Sequence, residues 1–387
     1  MKQMRIILIR VILHKFHQGT TRMRLLATTR FKPLTALLAC SALFLSACSS
    51  GNNQADESVP DLPAETTASV APGLVTVWSY RPETVVAPVL AAFTEATGIP
   101  TRHQILPGDE ILAALPATQA PERPDLVLTV DTIRFEALKA DGQLTPLPSS
   151  ASAAVPPMLR DAESHWAGIS WRVRGVVQRR DAASDLDWSD LPALAEAGRL
   201  CVRPGAHVYN RSLLAWQIPR LGEEEGLAWT EAVHGAPTVV NGGDRDQIMA
   251  VADGRCDVAI VNHYYLARMR LSEDASLREA GEQVLFGNPD QPLPLQPNIS
   301  GIALVSNSPN PDGGLALARW MLDPANQGVY ATPTAEFPAS WPALDLALGE
   351  ALDAFEAVQP EGPWPAELAP AIEAAERFFS ATEPSTR

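Results

Sequence analysis

From Leu74 onward, strand signals and helix signals alternate along the chain, and no other feature limits the fold as much. Leu74-Val75-Thr76-Val77-Trp78 is a compact run rich in β-branched residues and reads as a strand. Val86, Val89, Leu90 and Phe93 then recur at helical spacing ahead of Gly98, which predicts a helix over about residues 83–97. A strand over 99–106, a helix over 110–115, a buried strand over 126–130 and a helix over 132–140 follow. Residues 166–171 and 173–178 read as extended and are suited to carry the chain between two lobes. Beyond them come helix 188–197, strand 200–203 and a helix from about Asn210. A helix over 244–253, capped by Asp244 and closed by Gly254, leads to strand 257–261 and helix 264–269. Strand 299–305 and helices over 314–322 and 344–358 complete the series. Alternating βα units predict an α/β fold with a mainly parallel sheet covered on both faces.

The N-terminal region has a different character. Residues 34–47 are apolar over about the length of a signal-peptide core, too short to span a bilayer as a helix. Arg24, Arg30 and Lys32 precede them, and Leu45-Ser46-Ala47-Cys48 closes them in the manner of a bacterial lipoprotein signal. Residues 1–47 are thus expected to be a signal peptide, with the true start at Met23, and Cys48 to carry lipid. The alternatives are a plain secretory signal with a coincidental cysteine, or cleavage at Leu37-Leu38-Ala39-Cys40 after a core of only about six residues. Residues 48–72, serine-rich and acidic with Pro60 and Pro63, read as a flexible tether.

Charge excludes one class of partner. Residues 1–47 hold eight Lys/Arg and no acidic residue, so removing them takes the net charge from −15 to −23. So acidic a chain does not hold nucleic acid by phosphate neutralisation. About 315 residues remain after the tether, enough for two lobes of ordinary domain size. With Cys48 lipidated, Cys201 and Cys256 form an even pair in an oxidising compartment, either bridged or as two buried thiols. No GxSxG, HExxH, P-loop or CxxC pattern occurs, so the chain is not expected to be an enzyme.

The chemistry-bearing residues gather at strand ends. Tyr264-Tyr265 follows strand 257–261, Tyr209 follows strand 200–203, Trp78-Ser79-Tyr80-Arg81 follows the first strand, and Asp131 follows strand 126–130. Ligands of open α/β sheets bind outside the carboxyl ends of their strands. Phenolate oxygen is a hard anionic donor suited to a small, highly charged cation. Ionising one free tyrosine at pH 7 costs about 4 kcal/mol, and three about 12, which a divalent ion seldom repays when carboxylates serve without that cost. Three phenolates neutralise Fe³⁺, Glu83 or Asp131 would add a fourth anionic donor, and Arg81 and Arg174 would balance the charge or hold a small anion such as carbonate. Each residue also has a plainer reading. Adjacent tyrosines at a helix start commonly pack, Glu83 and Asp131 suit first helical turns, and His263 suits a solvated position as well as a ligand.

At these residues the chain resembles the periplasmic ferric-iron-binding proteins of ABC transporters. The likeness runs from about Leu74 to Pro338. It is most specific in Gly198-Arg199-Leu200-Cys201-Val202-Arg203, Tyr209-Asn210-Arg211-Ser212-Leu213-Leu214-Ala215, Gly242-Gly243-Asp244-Arg245-Asp246-Gln247-Ile248 and Asn262-His263-Tyr264-Tyr265-Leu266-Ala267-Arg268. The resemblance implies a two-lobed periplasmic-binding-protein fold, with Tyr209, Tyr264 and Tyr265 as iron ligands and Arg81 meeting a synergistic anion. Where family members place a histidine, or a His-Tyr pair, after the first strand, this chain has Pro82 and Glu83. The expected boundaries are 73–170 with 298–342 for lobe 1, and 171–297 with 343–387 for lobe 2. The expected function is a lipid-anchored periplasmic monomer, held to the membrane by its anchor alone, that passes ferric iron to an inner-membrane ABC permease. The alternative is the same fold binding an organic or anionic solute.

Overall fold

The computed structural model describes residues 73–106, 109–236, 239–290, 293–340 and 362–382. The expected signal peptide, the tether, Cys48 and the helix expected over 344–358 lie outside the described residues. Ten strands form one sheet: β1 (Val75–Ser79), β2 (Thr101–Ile105), β3 (Leu126–Thr129), β4 (Leu144–Thr145), β5 (Ala167–Arg179), β6 (Leu200–Cys201), β7 (Val258–Asn262), β8 (Val284–Phe286), β9 (Gln296–Val305) and β10 (Phe337–Pro338). Its main path is β2-β1-β3-β9-β5-β7-β6. The strands of the βα units pair in parallel, β1 with β2 and β3 on one side and β6 with β7 on the other. Between these groups run β9 and β5, both antiparallel to their neighbours.

The β5 strand is the organising element. It pairs with β9 over Ala167–Arg174, and from Arg174 onward with β7 on its other edge. Two extended runs were expected here; one thirteen-residue strand spans both. It is buried from Ala167 to Gln178, including Arg172 and Arg174, whose guanidiniums find acceptors inside the protein. Apolar side chains from both halves of the sheet form one large core, while a second cluster under β7 includes Val177, Ile248, Val261, Leu266 and Met269.

Helices beyond those expected from the sequence include Glu223–His234, Ala275–Gln283 and Ala369–Thr382. The last packs on Val208–Leu221 and Glu223–His234. The helix Asp244–Ala252 begins differently from the expectation that Asp244 caps it. Gly243 is its N-cap, its N–H donating to Asp246 Oδ2 at 2.7 Å, and this frees Asp244 to turn inward. Among the described residues no helix is long and apolar enough to cross a membrane.

Cys201 and Cys256 are bonded, 55 residues apart in sequence. The bridge staples β6, only two residues long, to the segment that enters β7. Closing a loop of that length in the unfolded chain is worth about 4 kcal/mol on the chain-entropy estimate. A Cys201→Ala/Cys256→Ala protein is therefore expected to lose about that much unfolding free energy, read as a lower urea midpoint followed by circular dichroism.

Candidate functional site

Two strand ends bring the three tyrosines together. β6 leads through a loop into the helix Val208–Leu221, whose second residue is Tyr209. β7 leads directly into the helix His263–Arg270, which carries Tyr264 and Tyr265 in its first turn. The Tyr209 and Tyr264 hydroxyls are 2.8 Å apart. The Tyr264 and Tyr265 rings lie 4.6 Å apart. Tyr209 and Tyr264 are buried, and Tyr265 is half-buried. Burial pushes the Tyr264 phenol well above its ordinary value of 10, with Tyr209 and Tyr265 adding to the effect. Tyr265 is pushed up to about 12, again chiefly by burial and then by Tyr209.

Cations surround this group. The guanidiniums of Arg172, Arg174 and Arg203 lie 5.4, 5.7 and 5.3 Å from the Tyr209 ring centre, and that of Arg268 lies 5.7 Å from the Tyr264 ring centre. Arg172 and Arg174 sit at alternate positions of β5 and so share a face. Arg174 donates through Nη1 to Asp244 Oδ2 at 2.9 Å and through Nη2 to the Ile260 carbonyl at 3.2 Å, while its buried Nε has no hydrogen-bond partner.

The other residues singled out from sequence lie in different surroundings. Arg81 is buried and held by Glu336, by Tyr330 Oη at 2.8 Å and by Ser300 Oγ at 2.9 Å. Glu336 also accepts from Ser170 Oγ at 2.5 Å. This tie joins the loop after β1 to β5 and β9, and nothing local in sequence marks Glu336. Asp131 is fully buried. Its Oδ1 caps the helix Thr132–Ala140 through Ile133 N at 3.1 Å, and its Oδ2 receives Asn298 Nδ2 at 3.0 Å, Ser212 Oγ at 3.2 Å and Arg172 at 3.3 Å. Burial pushes its carboxyl up, against the pull of Arg172. Glu83 projects from the start of its helix to His103 Nδ1, 2.5 Å away, with its side chain 60 % exposed. No contact joins Glu83 to the tyrosines among the described residues. His263 is buried. Its Nδ1 receives Val173 N–H at 3.2 Å and its Nε2 lies 3.0 Å from the Ala335 carbonyl; burial lowers it to about 4, so it is a neutral structural bridge.

Arg211, on the helix after Tyr209, reaches Asp109 Oδ2 at 2.5 Å and Glu376 at 2.9 Å, and Asp109 also receives Arg134 Nε at 2.8 Å. Ser212 joins the same helix to Asp131.

A family model described as bacterial extracellular solute-binding protein matches residues 78–328. The chain belongs to this solute-binding family. That family is a transport class rather than an enzyme class. Iron uptake protein A1 of Synechocystis is 30 % identical to this solute-binding protein over 254 residues, covering 64 % of the chain and 71 % of that relative. The major ferric iron-binding protein of Neisseria meningitidis serogroup B is 25 % identical over 287 residues, 71 % of the chain and 83 % of the relative. Among solved structures, the ferric binding protein from Campylobacter jejuni superposes with a TM-score of 0.71 at 26 % identity, covering 79 % of this chain and 98 % of that one. A Trichodesmium structure, IdiA or FutA with iron and citrate ligands, superposes with a TM-score of 0.69 at 24 % identity over 79 % of this chain and 99 % of that one, which speaks to the fold alone. These neighbours are two-lobed periplasmic binding proteins, the fold expected from the sequence.

Proposed function

We propose that this solute-binding protein captures ferric iron through the phenolates of Tyr209, Tyr264 and Tyr265 and delivers it to an ABC permease of the inner membrane. The observation that carries the reading is the 2.8 Å separation of the Tyr209 and Tyr264 hydroxyls. Adjacent positions of an octahedron with metal–oxygen bonds of about 2.0 Å lie about 2.8 Å apart, so the pair already has the spacing of neighbouring ligands to a small hard cation. Holding Tyr265 ionised at pH 7 from a value of about 12 costs about 7 kcal/mol. A trivalent ion offsets such a cost far better than a divalent one. The iron-binding relatives support the same reading.

In this reading residues 73–170 with 298–342 form one lobe and 171–297 with 343–387 the other, hinged near Arg174 where β5 changes partner. The Arg211–Asp109 and Ser212–Asp131 ties give the closed state contacts that an open one lacks. Asp131 has its oxygens engaged and Glu83 is turned to His103, so a small anion such as carbonate, near Arg174, is the better complement to the phenolates. Cys48 anchors the mature chain by lipid on the periplasmic side.

Adding ferric iron is expected to give a coloured phenolate-to-iron charge-transfer band, with release of about three protons per iron. Because phenolate formation precedes binding, lowering the pH by one unit should lower the apparent affinity by up to about a thousandfold. A colourless protein that binds an organic solute in place of iron would end this reading.

A further inference from the structure

One buried carboxylate joins the two arms on which the phenols stand. Asp244 is fully buried. Its Oδ2 accepts from the backbone N–H of Asn262 at 2.8 Å and from Arg174 Nη1 at 2.9 Å, and its Oδ1 accepts from Arg203 Nε at 3.1 Å. Asn262 is the last residue of β7 and the N-cap of the helix bearing Tyr264 and Tyr265. Arg203 opens the loop that leads to Tyr209. The carbonyls of Arg203 and Gly205 receive Asn210 Nδ2, each at 2.8 Å, so the Arg203 backbone and the first turn of that helix move as a unit. Arg174 comes from β5. Three segments remote in sequence thus meet on one side chain, and that side chain is not needed as a helix cap, because Asp246 supplies the acceptor at Gly243.

We propose that Asp244 is the positioning residue of the site: it sets the separation of Tyr209 from Tyr264 and aims Arg174 and Arg203 at the Tyr209 ring. The claim rests on the iron reading above. Asp244 touches no iron in this account and acts through the phenols. An asparagine has one acceptor oxygen and sets an NH2 donor against the donors at the other position, so it can serve Arg203, or the Asn262 N–H with Arg174, but not all three partners.

Asp244→Asn is expected to lower ferric affinity, measured by competition with citrate, by about 10- to 100-fold. The charge-transfer band should shift as Tyr209 leaves the metal. The decisive measurement is a double-mutant cycle with Tyr209→Phe. If Asp244 works by placing Tyr209, losing the Tyr209 hydroxyl matters much less once Asp244 is gone. Unchanged affinity in a folded Asp244→Asn protein, or full additivity of the two changes, would overturn the proposal. Should Asp244→Asn fail to fold, Arg203→Gln removes a single partner at a side chain 16 % exposed. The same loss of additivity with Tyr209→Phe is then expected, and additivity there overturns the proposal. A wild-type protein that binds no iron overturns the iron reading and this inference with it, whereas additivity in an iron-binding protein overturns this inference alone.

Discussion

Tyr264→Phe is expected to abolish most of the iron affinity while leaving the protein folded. Phenylalanine fills the same buried volume, so no cavity forms, and the ring contact with Tyr265 at 4.6 Å survives. The hydroxyl is what changes. It pairs with the Tyr209 hydroxyl at 2.8 Å, which satisfies two buried polar groups at once. In the loaded site it would be the central of three anionic donors. Removing it leaves a trivalent ion short of one charge and of one fixed oxygen. The loss should exceed the roughly 10- to 100-fold that removal of an outer hydrogen-bond partner costs a metal site. Competition with citrate measures it, and the charge-transfer band should weaken sharply. Tyr330→Phe provides the contrast. That phenol is buried too, but it accepts from Arg81 Nε at 2.8 Å, and its loss should leave the band in place. Equal bands in wild-type and Tyr264→Phe proteins would exclude Tyr264 as a ligand.

Glu336→Ala should produce a loss of stability as large as that of removing the disulfide. The carboxylate is fully buried against Arg81, with Ser170 donating to it. Truncating one partner of such a pair leaves a buried guanidinium uncompensated, which costs about 3–5 kcal/mol. Burial alone would raise the Glu336 carboxyl; Arg81 and then Arg172 outweigh it and hold the group at about 2, below the ordinary 4.5. A depressed acid contributes stability that is complete above its unfolded value and lost as pH falls through its folded value. The window is therefore about pH 4.5 down to 2, and the difference amounts to about 3 kcal/mol. Urea titrations of wild-type and Glu336→Gln proteins test the sign. The gap in stability between them should be widest near neutral pH and should narrow steadily below pH 4.5. A gap independent of pH would mean that the carboxylate is not ionised in the fold.

These two expectations come from different depths of the structure. The tyrosines were legible in the chain itself. Each follows an apolar strand run, and a strand that ends in a helix start delivers its next residues to one edge of the sheet. Arg172 carried a weaker signal. It stands two residues from Arg174 in a run otherwise buried, and period-two spacing puts both on one face. Glu336 carried none, because its partner lies 255 residues away. Asp244 was read as a helix cap, and Asp131 as a candidate ligand. Local pattern places an acidic residue at a helix start, but it does not say whether the side chain bonds its own helix or turns into the core. Asp131 does the first and also meets Asn298, Ser212 and Arg172; Asp244 does the second.

The order of βα units, the extended passage through residues 166–178 and the placement of three phenols at strand ends follow from hydrophobic periodicity and turn chemistry, which act between near neighbours. The bridge between Cys201 and Cys256, the Arg81–Glu336 tie and the convergence of Arg174, Arg203 and Asn262 on Asp244 depend on which strands pair and in what register. Pairing of that kind brings together residues tens to hundreds of positions apart, and only the folded chain decides it. Burial then gives these contacts their strength, because a charge removed from water must find its partner inside the protein.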